Sequence, residues 1–60
     1  MTFREIEKII KQDGWELSTI RGSHYHYRHP QKPGKVTIPK HGGDIHPRVI
    51  KSILRQAGLS

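Results

Sequence analysis

The sequence contains no cysteine, which excludes a disulfide framework and any thiolate metal site, two devices that often hold very small domains together. A cysteine-free chain suits a reducing compartment, and a cytoplasmic location is expected. Acidic residues are scarce, with five Asp and Glu against eleven Lys and Arg, so oxygen ligands for hard cations are few. There is no long apolar run either. The first ten residues, MTFREIEKII, interleave charges with apolar positions, which excludes a signal-peptide core and a membrane span. The chain therefore reads as soluble and untargeted. Length sets a further limit, because a domain of 60 residues buries only roughly 60% of its unfolded surface. A deep catalytic cleft is excluded, and any chemistry must sit on an open face.

What is present is positive charge, unevenly placed. Residues 1–16 hold three basic and four acidic side chains, whereas residues 17–60 hold eight basic side chains and only Asp44. A net charge of +6 carried almost wholly by residues 17–60 points to a polyanion, since a cationic surface attracts phosphates and releases their counterions. Solubility alone is the plainer explanation, but self-repulsion in a compact fold argues for a use.

Local signals give five elements. Thr2 followed by Glu5 forms a capping box, and Phe3, Ile6, Ile9 and Ile10 fall on one face of a helix that Asp13-Gly14 ends. Trp15 to Ile20 favour a strand, Arg21-Gly22-Ser23 a turn, and His24 to His29 a second strand. Pro33-Gly34 suits a type II turn into a third strand over residues 35–38. After a loop over residues 39–44, Pro47 sits in the first turn of a helix with Val49, Ile50, Ile53, Leu54 and Ala57 as its apolar stripe, and Gly58 as its C-cap. Two amphipathic helices and one three-stranded antiparallel meander make a two-layer α+β domain with both helices on one sheet face. Alternation along the second strand then puts Tyr25 and Tyr27 in the core and His24, His26 and Arg28 on the open face. A single bulge would exchange those sets.

Five histidines, at positions 24, 26, 29, 41 and 46, are the main oddity of composition. His24, His26 and His41 are conceivable metal ligands, but the absence of cysteine, with Asp44 as the one nearby carboxylate, weighs against a metal. A histidine also suits general acid/base work, because its unperturbed pKa of about 6.5 allows proton exchange at neutral pH. Arg28, Lys35 and Lys40 would keep the imidazole neutral as a base and would hold a phosphate. RNA brings its own nucleophile in the 2′-OH, so no cofactor is needed. Spacing alone leaves this reading beside a second, in which the histidines are ordinary polar residues on a solvated strand.

The run Arg21-Gly22-Ser23-His24-Tyr25-His26-Tyr27-Arg28-His29-Pro30, then Val36-Thr37-Ile38-Pro39-Lys40-His41, then Ser52-Ile53-Leu54-Arg55-Gln56-Ala57-Gly58-Leu59, closely resembles the HicA family of mRNA interferase toxins. Three motifs in order, at matching separations, cover nearly the whole chain. The resemblance implies one toxin domain over residues 1–60, a fold like that of a double-stranded RNA-binding domain, cleavage of mRNA that blocks translation, and a HicB-type antitoxin as partner; the scarcity of metal ligands makes that cleavage metal-independent. It implies His24 as the catalytic residue and gives His26, His29 and His41 no role of their own. On the charge and position of the residues themselves, Arg21, Gly22, Ser23, His26, Arg28, Lys35, Lys40 and His41 are the expected RNA contacts.

Other residues have plainer roles. Gly22 and Ser23 also fit an ordinary hairpin turn. Trp15, Tyr25 and Tyr27 fit the core better than base stacking. Arg48, Lys51 and Arg55 share one side of the last helix and either track a phosphate backbone or form a solvated face. Two other functions stay open on the residues alone: an RNA-binding module that does not cut, and a protein whose basic face only docks an acidic partner.

Overall fold

A computed structural model describes residues 1–60. The chain runs through α1 (Phe3–Gln12), β1 (Glu16–Arg21), β2 (His24–Arg28), β3 (Val36–Pro39) and α2 (Pro47–Gln56). The α-β-β-β-α order and the α+β class are those expected. α1 starts where the sequence places it, because Thr2 Oγ1 accepts from the Glu5 amide at 3.3 Å and the Glu5 carboxylate accepts from the Thr2 amide at 2.8 Å. Those bonds from Thr2 hold the Glu5 carboxyl below its ordinary range. Pro47 opens α2, where its missing N–H costs nothing.

The strands form an antiparallel sheet in the order β1-β2-β3. Gly22 and Ser23 alone join β1 to β2, and Gly22 at φ +57° supplies the positive φ that a two-residue hairpin with glycine in its first central position needs. Gly34, at φ +80°, takes the left-handed position expected after Pro33. The second strand ends at Arg28, one residue before the expected end, because the His29 ring bonds to the backbone of Asp13. The third strand is displaced by one residue, to Val36–Pro39.

Both helices lie against the same sheet face. Phe3, Ile6, Ile10, Ile50, Ile53 and Ala57 close over Tyr27, Val36 and Ile38, with Trp15 and Ile45 completing a core that contains no buried charge. Each fully buried isoleucine contributes roughly 1.5–3 kcal/mol through removal of apolar surface from water. Val49, expected in the apolar stripe of α2, stays exposed while Ile50 and Ile53 face inward. Ile9, Tyr25 and Leu54 are half-buried against the same cluster.

β1 departs from simple alternation. Leu17 pairs with Tyr27 and Thr19 with His26, so Ser18 is an extra residue in the ladder, a β-bulge. Leu17 and Ile20, opposite Tyr27 and Tyr25, consequently share the helix-side face. The helices lie against β3 and stop short of this edge, which leaves Leu17 and Ile20 at 42% and 49% exposure. The bulge falls on β1 and not on β2, so Tyr25 and Tyr27 keep the core side and His24, His26 and Arg28 the open side.

Candidate functional site

The open face is organised in cross-strand rows. Arg21, His24 and Pro39 stand abreast, as do Thr19, His26 and Thr37, while Glu16 faces Arg28. His24 lies at the start of β2 directly after the hairpin turn and is exposed. His26, between two threonines, is half-buried. Its Nδ1 lies 2.9 Å from Thr37 Oγ1, so the other ring nitrogen, Nε2, is left free toward the open side. Burial, then the neighbouring Lys35, His24, Arg21 and Arg28, hold the His26 pKa below its ordinary value. Both causes favour the uncharged ring.

Ser18, Thr19, Arg21, His26, Arg28 and Lys35 line a shallow cleft of about 400 Å³ on this face. No carboxylate and no apolar residue borders it. Arg21, Arg28 and Lys35 have no ion-pair partner within 4.0 Å. Arg28 is steadied instead by a 3.2 Å bond from Nη1 to the Gly34 carbonyl. Unpaired cations beside hydroxyl donors and a neutral imidazole form a surface suited to a phosphodiester, with a base available next to it. No three His, Asp or Glu side chains come together as metal ligands.

The family model for the HicA toxin of bacterial toxin–antitoxin systems matches residues 3–59. The chain belongs to the HicA toxin family. No curated protein matches it. The span matched to the HicA family includes all five elements and every residue of the open face.

Within this HicA fold, the residues expected around RNA separate into two groups. Arg21, His26, Arg28 and Lys35 meet at the cleft, and Gly22 and Ser23 form the turn immediately before His24. Lys40 does not join them. Its Nζ lies 5.5 Å and 5.3 Å from the ring centroids of Phe3 and Tyr25, an attraction to aromatic faces that places it on the helix side. His41 lies in the exposed loop after β3, outside the cleft. Arg48, Lys51 and Arg55 are exposed on α2, which covers the opposite sheet face.

The other histidines are structural. His29 Nδ1 accepts from the amides of Gln31 and Lys32 at 3.0 Å and 3.1 Å, so Nε2 carries the proton and donates to the Asp13 carbonyl at 2.7 Å. The ring also meets Trp15 edge to face at 5.2 Å. His46 is the N-cap of α2, its Nδ1 accepting from the Arg48 amide at 3.0 Å. Tyr27, weighed as a base-stacking platform, is fully buried and donates to Glu7 Oε2 at 2.6 Å. Burial and that bond push its pKa above the ordinary phenol value.

Sequence reasoning missed Ser18, Thr19 and Thr37 as residues of the site. The signal for the first two was present in apolar residues at 17 and 20, a spacing of three that strict alternation cannot place on one face. Thr37 left no comparable mark, because its contact with His26 joins two strands across a turn.

Proposed function

We propose that this HicA-family chain is a metal-independent endoribonuclease that cleaves mRNA in the cytoplasm as the toxin of a type II toxin–antitoxin pair. The observation that carries the reading is the placement of the Gly22-Ser23-His24 turn beside a carboxylate-free cationic cleft on the uncovered sheet face. Residues 1–60 act as one toxin domain. His24 is the catalytic residue, and Arg21, Gly22, Ser23, His26, Arg28 and Lys35 form the RNA contact surface around it. Lys40 and His41 belong to its margin.

In this mechanism the His24 imidazole takes the proton of a 2′-OH. The freed oxygen attacks the adjacent phosphorus, the bond from phosphorus to the 5′-oxygen breaks as a cyclic 2′,3′-phosphate forms, and the leaving 5′-oxygen takes a proton from water. Arg21, paired with His24 across the hairpin, offsets the charge that develops on the phosphate oxygens, which stabilises the transition state more than the ground state. A general base of this kind contributes typically about 10²–10⁴-fold.

An exposed catalytic face cannot be closed by a small lid, so control requires a second protein surface. A HicB-type antitoxin of acidic character fits, because opposite charge speeds its association with a +6 domain. The test is incubation of a labelled mRNA with wild-type protein and with His24→Ala, alongside circular dichroism of both. Cleavage by the wild type and none by a folded His24→Ala supports the reading. Equal cleavage by the two removes His24 from the mechanism, and RNA binding without cleavage by the wild type makes the protein a binding module.

A further inference from the structure

We infer that the cleft on the β1 bulge is a second phosphate subsite, which seats the backbone phosphate neighbouring the one that is cut and so sets the register of the RNA strand over His24. The inference rests on the ribonuclease reading of His24 and adds residues to it that neither the family match nor the sequence motifs assign.

The bulge creates the site. In an unbroken strand Ser18 and Thr19 would point to opposite faces. The extra residue turns both toward the open side, where their hydroxyls lie 3.5 Å apart at the wall of the cleft. Neither hydroxyl bonds to any other group, and two adjacent donors can serve two oxygens of one phosphate. Arg21 and Arg28 flank the cleft on neighbouring strands, and Lys35 closes it from the turn before β3. Glu16, the one carboxylate of β1, faces Arg28 but stays outside the cleft and forms no ion pair.

His26 forms part of the lining, with Nδ1 engaged by Thr37 and Nε2 free for a phosphate oxygen. Residues two apart on one strand face are separated by about 7 Å, comparable with the spacing of successive phosphates along a single strand. A phosphate at His26 therefore leaves the adjoining one within reach of His24. The groups facing His26 are Ser18, Thr19 and Arg21 on β1, His24 and Arg28 on β2, and Lys35 and Thr37 from the β3 side. All of these are neutral or cationic, so an arriving phosphate is the anion that favours protonation of Nε2. Occupancy is then coupled to proton uptake and tightens as pH falls toward 6.

The experiment uses a short 2′-O-methyl oligoribonucleotide, which lacks the nucleophile, in anisotropy titrations against salt, with an RNA of the same sequence for kinetics. Inorganic phosphate followed by NMR serves as the minimal probe. Arg28→Gln is expected to weaken oligonucleotide binding about tenfold and to lower the salt slope by about one. Ser18→Ala with Thr19→Val is expected to weaken it several-fold, and both changes should lower kcat/KM chiefly through KM. Lys35→Gln, at an exposed turn position, repeats the test should Arg28→Gln disturb folding. Phosphate is expected to shift the amide signals of Ser18 and Thr19 and the His26 ring signals, more at pH 6 than at pH 8.

Wild-type affinity and salt slope in all these variants, with wild-type protein still cleaving RNA, refute the subsite while leaving the ribonuclease reading intact. Variants that lose only affinity for an acidic protein partner make the cleft a protein-docking surface and also refute it. Wild-type and His24→Ala proteins that behave identically on RNA overturn the reading beneath it and the subsite together.

Discussion

Replacing Gly14 by alanine tests whether His29 is a structural residue. Gly14 has φ +106°, and a Cβ built there lies 2.7 Å from His29 Nε2. The first cost is backbone strain, about 1–2 kcal/mol for an L-residue at positive φ. The second arises because the imidazole must move, and its ring nitrogens make three hydrogen bonds, to Asp13, Gln31 and Lys32. At roughly 0.5–1.5 kcal/mol each, and toward the lower end where water can replace a partner, they add about 2 kcal/mol. The sum is about 3–4 kcal/mol. A chain of this size has roughly 3–9 kcal/mol in all, and about 4–8 °C is lost per kcal/mol, so Gly14→Ala should melt about 12–32 °C below wild type. Thermal denaturation followed by circular dichroism measures this. Gly22→Ala is the control, because Gly22 also has positive φ but a Cβ there meets nothing within 4 Å, and its loss should stop at about 1–2 kcal/mol. In a Gly14→Ala/His29→Ala double variant the clash is gone, so the two losses should fall short of additivity by about 1 kcal/mol or more. Equal losses in Gly14→Ala and Gly22→Ala, or strict additivity in the double variant, would refute the reasoning.

Tyr27→Phe removes the 2.6 Å bond to Glu7 without changing the packing of the ring, and should cost about 1–2 kcal/mol in chemical denaturation. The lowered pKa of His26 means that the unfolded chain binds its proton more readily than the folded one. Its contribution is therefore present above about pH 6.5 and lost as pH falls through the lowered folded value; His26→Gln should flatten the stability curve in that window. Asp13, held below the usual carboxylate range first by its hydrogen bond from Lys32, acts in a lower window. Its stabilisation is present above about pH 4 and lost as pH falls through the lowered value, so Lys32→Met should raise the pH of acid unfolding. RNA cleavage should persist in EDTA, since no three ligating side chains converge on the open face; loss on chelation and recovery with a single added metal would count against the His24 mechanism.

Lys32 shows how far local signals reach. The sequence marks it only as part of a turn, yet its ammonium group joins the Asp13 carboxylate at the end of α1 to the Ala57 carbonyl at the end of α2. Partners 19 and 25 positions away cannot be read from spacing along one element. The same holds for His29, whose bond to Asp13 spans 16 positions.

Features that depend on near neighbours are legible along the chain. The Thr2–Glu5 capping box, Pro47 at the start of α2, the glycine of the hairpin and the alternation of β2 each act within a few residues, and each has its expected place. The ordered motifs likewise marked the HicA family, which the match over residues 3–59 shows. Folding bound His29 and His46 to backbone groups, which no local pattern foretold, while His24 and His26 stand on the open face where alternation puts them. It also sent Lys40 to the aromatic rings of the helix side and brought Ser18, through the bulge, to the cationic cleft. The physical reason is that alternation fixes a side chain's face only while the ladder register is unbroken. Hydrogen bonds and charges, in contrast, select partners by distance in space, which folding alone sets.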